Sequence, residues 1–257
     1  TYLVQTGESG EAMRHVYHQR RLDPDSPFRW FRVCEFYLQL GDADSARRCA
    51  DELEATHDLP LRMPYLRQII AGFEGDQDTK RQHLEDIYSL GNRDPLTKML
   101  YAQALAVDDC PAAMTVLEDS FPALFEPEPT MTPVLFMPAV TTWHCLTQAG
   151  ETRRAAVLVE RIAEAVERMR VEKGPWLVVG YERASVLAMR GDHDAALEEL
   201  EQLVDGGWRY YWWGLDTLPQ FASLVGRPRF KALVERLERG VAEQRAYFEA
   251  HRDAPLI

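Results

Sequence analysis

The chain has 257 residues, 46% hydrophobic and 27% charged, a composition that folds and that excludes an intrinsically disordered polypeptide. Its 41 acidic residues against 29 basic ones leave a net charge of −12. That balance argues against binding nucleic acid, which relies on Lys and Arg to neutralise phosphates, and it favours neutral or basic partners.

The start, Thr1-Tyr2-Leu3-Val4-Gln5, has no initiator Met and no basic region followed by an apolar stretch. It reads as a piece of a longer protein with no visible signal peptide. No run approaches the roughly 20 apolar residues needed to cross a bilayer, so direct membrane insertion is not expected. From here short Gly-acidic pairs punctuate the chain: Gly7-Glu8, Gly41-Asp42, Gly75-Asp76, Gly150-Glu151 and Gly191-Asp192. Gly7, Gly41 and Gly75 are each 34 residues apart. A Gly can end a helix in the left-handed conformation, and an acidic residue suits the start of the next helix, so each pair predicts the corner of a helix hairpin.

Small residues recur five positions after the glycine, at Ala12, Ala46, Ala155 and Ala196, and seven before it, at Cys34 and Ala184. Placed opposite one another, they let two helices approach closely. Pro24 stops the helix that ends near Leu22. The expected fold is therefore all-α, an α-solenoid of antiparallel helix hairpins. Some copies depart from the pattern. Lys80 replaces the small residue after Gly75, Asp108-Asp109-Cys110-Pro111 forms a corner without glycine, and Trp143 stands where a small residue is expected.

The pattern resembles the tetratricopeptide repeat. The best copy runs from Pro27 to Leu59, with Trp30, Val33, Cys34 and Tyr37 in its first helix, Gly41-Asp42 at the turn, and Ala46, Ala50 and Leu53 in its second. Leu177 to Leu203 is another, with Ala184, Leu187, Gly191, Ala196, Leu200 and Leu203. The organisation expected is repeats over 1–125, a Pro-rich break over 126–131 (Glu126-Pro127-Glu128-Pro129), further repeats over 132–206, and an aromatic cap with a C-terminal helix over 207–257. The break reads as an ordered loop within one solenoid or as a hinge between two halves.

Gly206-Gly207 leads into Trp208-Arg209-Tyr210-Tyr211-Trp212-Trp213, the densest aromatic cluster of the chain. Terminal repeats need a cap, and aromatics bury about 150–250 Å² each, so the cluster is expected to seal the last hairpin. An exposed stacking platform is the alternative. A helix is expected from about Pro228 to His251. The run from Gly207 to Trp213, with Leu218-Pro219, Phe221, Leu224 and Arg227-Pro228-Arg229-Phe230, resembles the tail of repeat regions in bacterial membrane-anchored winged-helix regulators and related cyclase-like or kinase-like signalling proteins. The resemblance implies a sensory or interaction region of a bacterial signalling protein, on the cytoplasmic or periplasmic side of a membrane-anchored parent. The family's DNA-binding or catalytic domain has no counterpart in this sequence.

Cys34 and Cys49 flank one corner at equal height, and Cys110 and Cys145 fall at similar height on neighbouring helices. Two disulfides or four buried free thiols both fit this placement. No C-x-x-C spacing, Gly-rich phosphate loop, nucleophile elbow or zinc-protease motif occurs, so no metal, no cofactor and no enzymatic activity are expected. The expected site is a concave groove for a protein or peptide. Phe31, Glu35, Leu38 and Gln39 would line it in one repeat, Tyr65 and Ile69 in the next, and Tyr181 and Ser185 near the end. The rivals are a structural module that self-associates, as in a homodimer, and more remotely an α/α-toroid enzyme.

Overall fold

The computed structural model describes residues 6–91, 94–126, 128–129, 131–173 and 177–256. Among these residues the chain is all-α, with twelve α-helices, four single-turn 3₁₀ segments and no strand. The helices are α1 (Ser9–Leu22), α2 (Pro27–Gln39), α3 (Ala43–Thr56), α4 (Arg62–Glu74), α5 (Gln77–Ser89), α6 (Pro95–Leu105), α7 (Cys110–Ser120), α8 (Phe136–Gln148), α9 (Thr152–Lys173), α10 (Leu177–Met189), α11 (His193–Asp205) and α12 (Pro228–His251). The 3₁₀ segments are Pro122–Leu124, Pro133–Leu135, Trp212–Gly214 and Pro219–Phe221.

The corners fall where the glycines predict. Gly41, Gly75, Gly150 and Gly191 all take positive φ, from 71° to 85°, between consecutive helices. The acidic residue that follows then begins the next helix. The Asp42 Oδ1 accepts from the Ser45 amide at 2.9 Å, and the Asp76 Oδ1 from the Thr79 amide at 3.0 Å. Such caps satisfy one of the amides that a helix start leaves without a partner, worth about 1 kcal/mol. At the glycine-free corner Asp109 does the same work, accepting from the Ala112 amide at 2.9 Å. Lys80 is accommodated by a compensating exchange. The small residue now stands opposite it, at Gly72, where a side chain would meet the Lys80 Cδ at 3.4 Å. Burial along this stem pushes the Lys80 amine below its ordinary value.

All four cysteines are paired. Cys34 of α2 joins Cys49 of α3 across the Gly41 corner, with Cα atoms 5.3 Å apart. Cys110 at the start of α7 joins Cys145 of α8, with Cα atoms 5.2 Å apart. Helices at that spacing can supply disulfide geometry because the cysteines sit at matched heights.

The chain forms two compact units. Unit 1 takes the chain up to His83, Leu203–Leu215 and the chain from Lys231; unit 2 takes Leu84–Gln202 and Asp216–Phe230. The division does not fall at the Pro-rich stretch 126–131, in which Pro127 and Thr130 lie outside the described residues. Sequence-local reasoning places a boundary at helix-breaking prolines, whereas the units here are assembled from segments far apart in the chain. The core of unit 1 includes Met13, Val33, Leu38, Leu53, Leu66 and Phe248, and that of unit 2 includes Leu117, Ala139, Val140 and Ile162.

In unit 1, α12 packs on α1. Arg14 is the clasp: its Nε donates to the His251 carbonyl at 3.0 Å, its Nη2 to the carbonyls of Ala254 and Pro255 at 3.2 and 2.9 Å, and its Nη1 to Glu11 at 2.6 Å. The Tyr247 hydroxyl also donates to Glu11, at 3.0 Å. Burial raises the Glu11 carboxyl, but the bonds from Arg14 and Tyr247 outweigh it and hold the group below its ordinary value. A carboxylate so held adds stability above its unfolded pKa of about 4.3, and that stability is lost as pH falls through the folded value. Glu11→Gln is therefore expected to lower stability at neutral pH, with the gap to wild type closing below about pH 4. Urea melts at pH 7 and pH 3.5 measure this, and an equal gap at both pH values would contradict the assignment.

Candidate interaction site

Helix spacing puts Phe31, Glu35 and Gln39 on one face of α2, and Tyr65 and Ile69 on one face of α4, each four residues apart. The structure brings the two faces together in unit 1. Phe31 and Tyr65 stack with ring centroids 6.1 Å apart. Glu35 is buried and ion-paired to Arg32. Gln39 is 2% exposed, and Leu38 is fully enclosed in the core.

These residues do not line an open groove. Phe31, Glu35, Leu38, Gln39 and Ile69 are buried and Tyr65 is half-buried. The cause at Glu35 and Gln39 is the chain's own aromatic segment. The Tyr211 amide donates to the Gln39 Oε1 at 3.2 Å, and the Tyr211 hydroxyl donates to the Glu35 Oε1 at 2.7 Å. Trp213 and Trp212 lie against Phe73 of α4, with centroid separations of 5.2 and 6.0 Å. The cluster expected to seal the last hairpin thus packs on the second and fourth helices. Burial, with the Glu35 charge adding to it, pushes the Tyr211 hydroxyl well above its ordinary value, so it stays a hydrogen-bond donor throughout the neutral range.

The segment is pinned at both ends and held tensely between them. Trp208 and Leu215 are buried, at 7% and 1% exposure. Between them Tyr211 takes φ 48°, ψ 37°, the only positive φ at a non-glycine among the described residues. That conformation costs an ordinary side chain about 1–2 kcal/mol. Two buried donors, the Gln39 Nε2 and the Trp212 Nε1, have no partner, and each such group costs about 1–3 kcal/mol. Against this, half-burying three aromatic rings gains roughly 2–3 kcal/mol apiece from apolar area. The gains and costs are of comparable size.

Unit 2 repeats the theme with a different segment. Ser185 of α10 is fully buried and Tyr181 half-buried. Gln220 fills the space beside them, its Nε2 donating to the Tyr181 hydroxyl at 3.0 Å and lying 3.5 Å from the Ser185 Oγ. Phe136 and Phe221 meet the Tyr181 ring edge to face. Burial pushes the Tyr181 hydroxyl far above its ordinary value.

Comparisons with protein-family models, curated proteins and solved structures give no match to this chain.

Among the described residues no group of three or more His, Cys, Asp or Glu is placed to hold a metal ion, and no helix is long and apolar enough to cross a membrane. One open concavity of unit 2 is a trench of about 760 Å³ beside α9 and α10, walled by Glu160, Glu164, Arg183 and Arg190 among others. Arg190 holds Glu160 through a two-pronged bond, and Arg183 pairs with Glu199 at 3.1 Å. The Arg190–Glu160 pair is exposed on both sides, so it adds little stability. Sequence reasoning passed over the trench because charges at helical spacing look like any solvated face. Tyr211, Trp213 and Gln220 were legible only as members of an aromatic, Pro-bounded tail, and nothing local marks the helices they contact.

Proposed function

We propose that this chain is a protein-interaction scaffold without turnover of its own, in which tetratricopeptide-like hairpins stack as a solenoid and hold an extended segment of a partner protein. The reading is carried by one observation: the face made by Glu35 and Gln39 takes an aromatic turn, Tyr211 leading into the 3₁₀ segment Trp212–Gly214, through both a side-chain hydroxyl and a main-chain amide. Main-chain pairing with pockets for rings is how peptide-binding surfaces combine affinity with selectivity. A place in a bacterial signalling regulator follows from the resemblance of the tail at Gly207–Trp213, and the two disulfides favour an oxidising compartment.

Selection of displayed peptides against the intact chain tests this. Recovered peptides are expected to share an aromatic core and to bind saturably, and Glu35→Gln combined with Gln39→Ala is expected to weaken them at least tenfold, since two bonds at about 1 kcal/mol or more are lost. Absence of any enriched sequence counts against the reading. Light scattering over a dilution series separates it from self-association, because a scaffold of this kind keeps the 29.5 kDa mass of one chain at every concentration.

A further inference from the structure

We infer that the loop Trp208–Leu215 is a displaceable internal occupant of the Glu35–Gln39 face, and that its displacement opens that face to an aromatic segment of a partner protein with matching chemistry. The inference rests on the scaffold reading and adds to it a state in which the face is closed by the chain itself.

Three independent observations converge on it. The loop tip is bound less completely than its ends: Tyr210 is 41% exposed, and Tyr211, Trp212 and Trp213 are half-buried between the enclosed Trp208 and Leu215. A loop fastened at both ends can lift at its centre without unravelling the helices beside it. The tip also adopts a backbone conformation that its own residue disfavours, at Tyr211. Most tellingly, Gln39 is 2% exposed, aimed at the loop, and only half satisfied. Its Oε1 accepts from the Tyr211 amide while its Nε2 meets no acceptor. The loop therefore supplies a donor where the face requires both a donor and an acceptor.

Those needs define the partner chemically. A segment entering from another protein would place a tyrosine hydroxyl on the Glu35 carboxylate and its own amide on the Gln39 Oε1. It would also bring a carbonyl to the Gln39 Nε2, and an aromatic ring to Phe73, where Trp212 and Trp213 now lie. It would do so without a left-handed tyrosine. Such a ligand completes hydrogen bonding that the internal loop leaves incomplete, which is how it competes with an occupant present at high effective concentration.

The test uses the full chain and a fluorescent peptide of the loop's own sequence, Gly207 to Gly214, read by anisotropy. Three proteins are compared: wild type, Tyr211→Ala with Trp213→Ala, and Tyr211→Asn. The last tolerates the left-handed backbone and is the variant of record if the double change fails to fold. The opened variants are expected to bind the peptide at least tenfold more tightly than wild type, and Glu35→Gln with Gln39→Ala in the same background is expected to remove the gain. Equal affinity for wild type and for a variant with native circular dichroism overturns the inference, as does a folded variant that binds no peptide. If both variants fail to fold, amide exchange in wild type decides: faster exchange at 210–214 than at Trp208 and Leu215 is expected, and core-like protection across the loop overturns it. The scaffold reading fails separately, when peptide selection finds no ligand for wild type or for the opened chain. Selected peptides that bind the Glu35–Gln39 face of wild type as tightly as that of the opened chain leave the scaffold standing and defeat the closed state.

Discussion

Reduction of the two disulfides is expected to lower the stability of the folded chain by about 7 kcal/mol, the largest single change available to it. The bridges close loops of 15 and 35 residues. In the chain-entropy description, loops of those sizes remove about 3 and about 4 kcal/mol of freedom from the unfolded state. The loops do not overlap, one lying in each compact unit, so their effects should add nearly fully. Against a typical total of 5–15 kcal/mol, the reduced chain is left marginal. Urea unfolding with and without reductant measures the loss, and Cys34→Ala with Cys49→Ala isolates the first bridge. Superimposable melts in the two conditions would show that the bridges do not form in solution.

The second large effect is expected from a single methyl group. A Cβ added at Gly10 would stand 2.4 Å from the main-chain carbonyl oxygen of Gln244 in α12. The neighbour is backbone, so it cannot swing aside as a side-chain tip can. The Gly10 amide also donates to the Gln244 Oε1 at 3.0 Å, a bond that needs the same close approach. Gly10→Ala must separate α1 from α12 and loosen the Arg14 clasp and the packing of Tyr17 on Phe248 with it. Overpacking of this kind costs about 1–3 kcal/mol, and the lost hydrogen bonds bring the expected total to about 3–4 kcal/mol. For a chain of this size that is a fall in Tm of roughly 6–15 °C. Gly226→Ala is the control: no atom lies within 4 Å of the added Cβ and its φ is not positive, so the change should be neutral or slightly stabilising. A Gly10→Ala chain melting with wild type would mean that α1 and α12 are not packed at this distance.

How much of this was legible depended on how local the cause was. The corners at Gly41, Gly75 and Gly191 were readable because a left-handed turn between helices needs glycine, whatever surrounds it. The cysteine pairs were readable as far as height on adjacent helices, which follows from spacing about a corner, and the alternative of free thiols needed coordinates to settle. The seat of the aromatic loop was not readable. Tyr211 and Glu35 are 176 residues apart, and no periodicity in either segment encodes the other. The same holds for Arg14, which looks like one more charge on an amphipathic helix until the carbonyls of 251–255 surround it. Hence helix spacing groups Phe31, Glu35 and Gln39 on α2 and Tyr65 and Ile69 on α4, while Leu38 belongs to the core and the cover over Glu35 and Gln39 comes from a segment no local pattern points to.

The discontinuity of unit 1 bears on how the protein is made. Its first four helices leave the ribosome long before Lys231 and the residues that follow have been synthesised. Until then Tyr17, Tyr37 and Phe73 lack the helix and loop that pack on them, and the nascent chain carries an apolar surface through most of its own translation. Closure joins residues more than 230 positions apart, a separation that slows folding. A cell producing this chain therefore has reason to shield its early helices until the last one arrives.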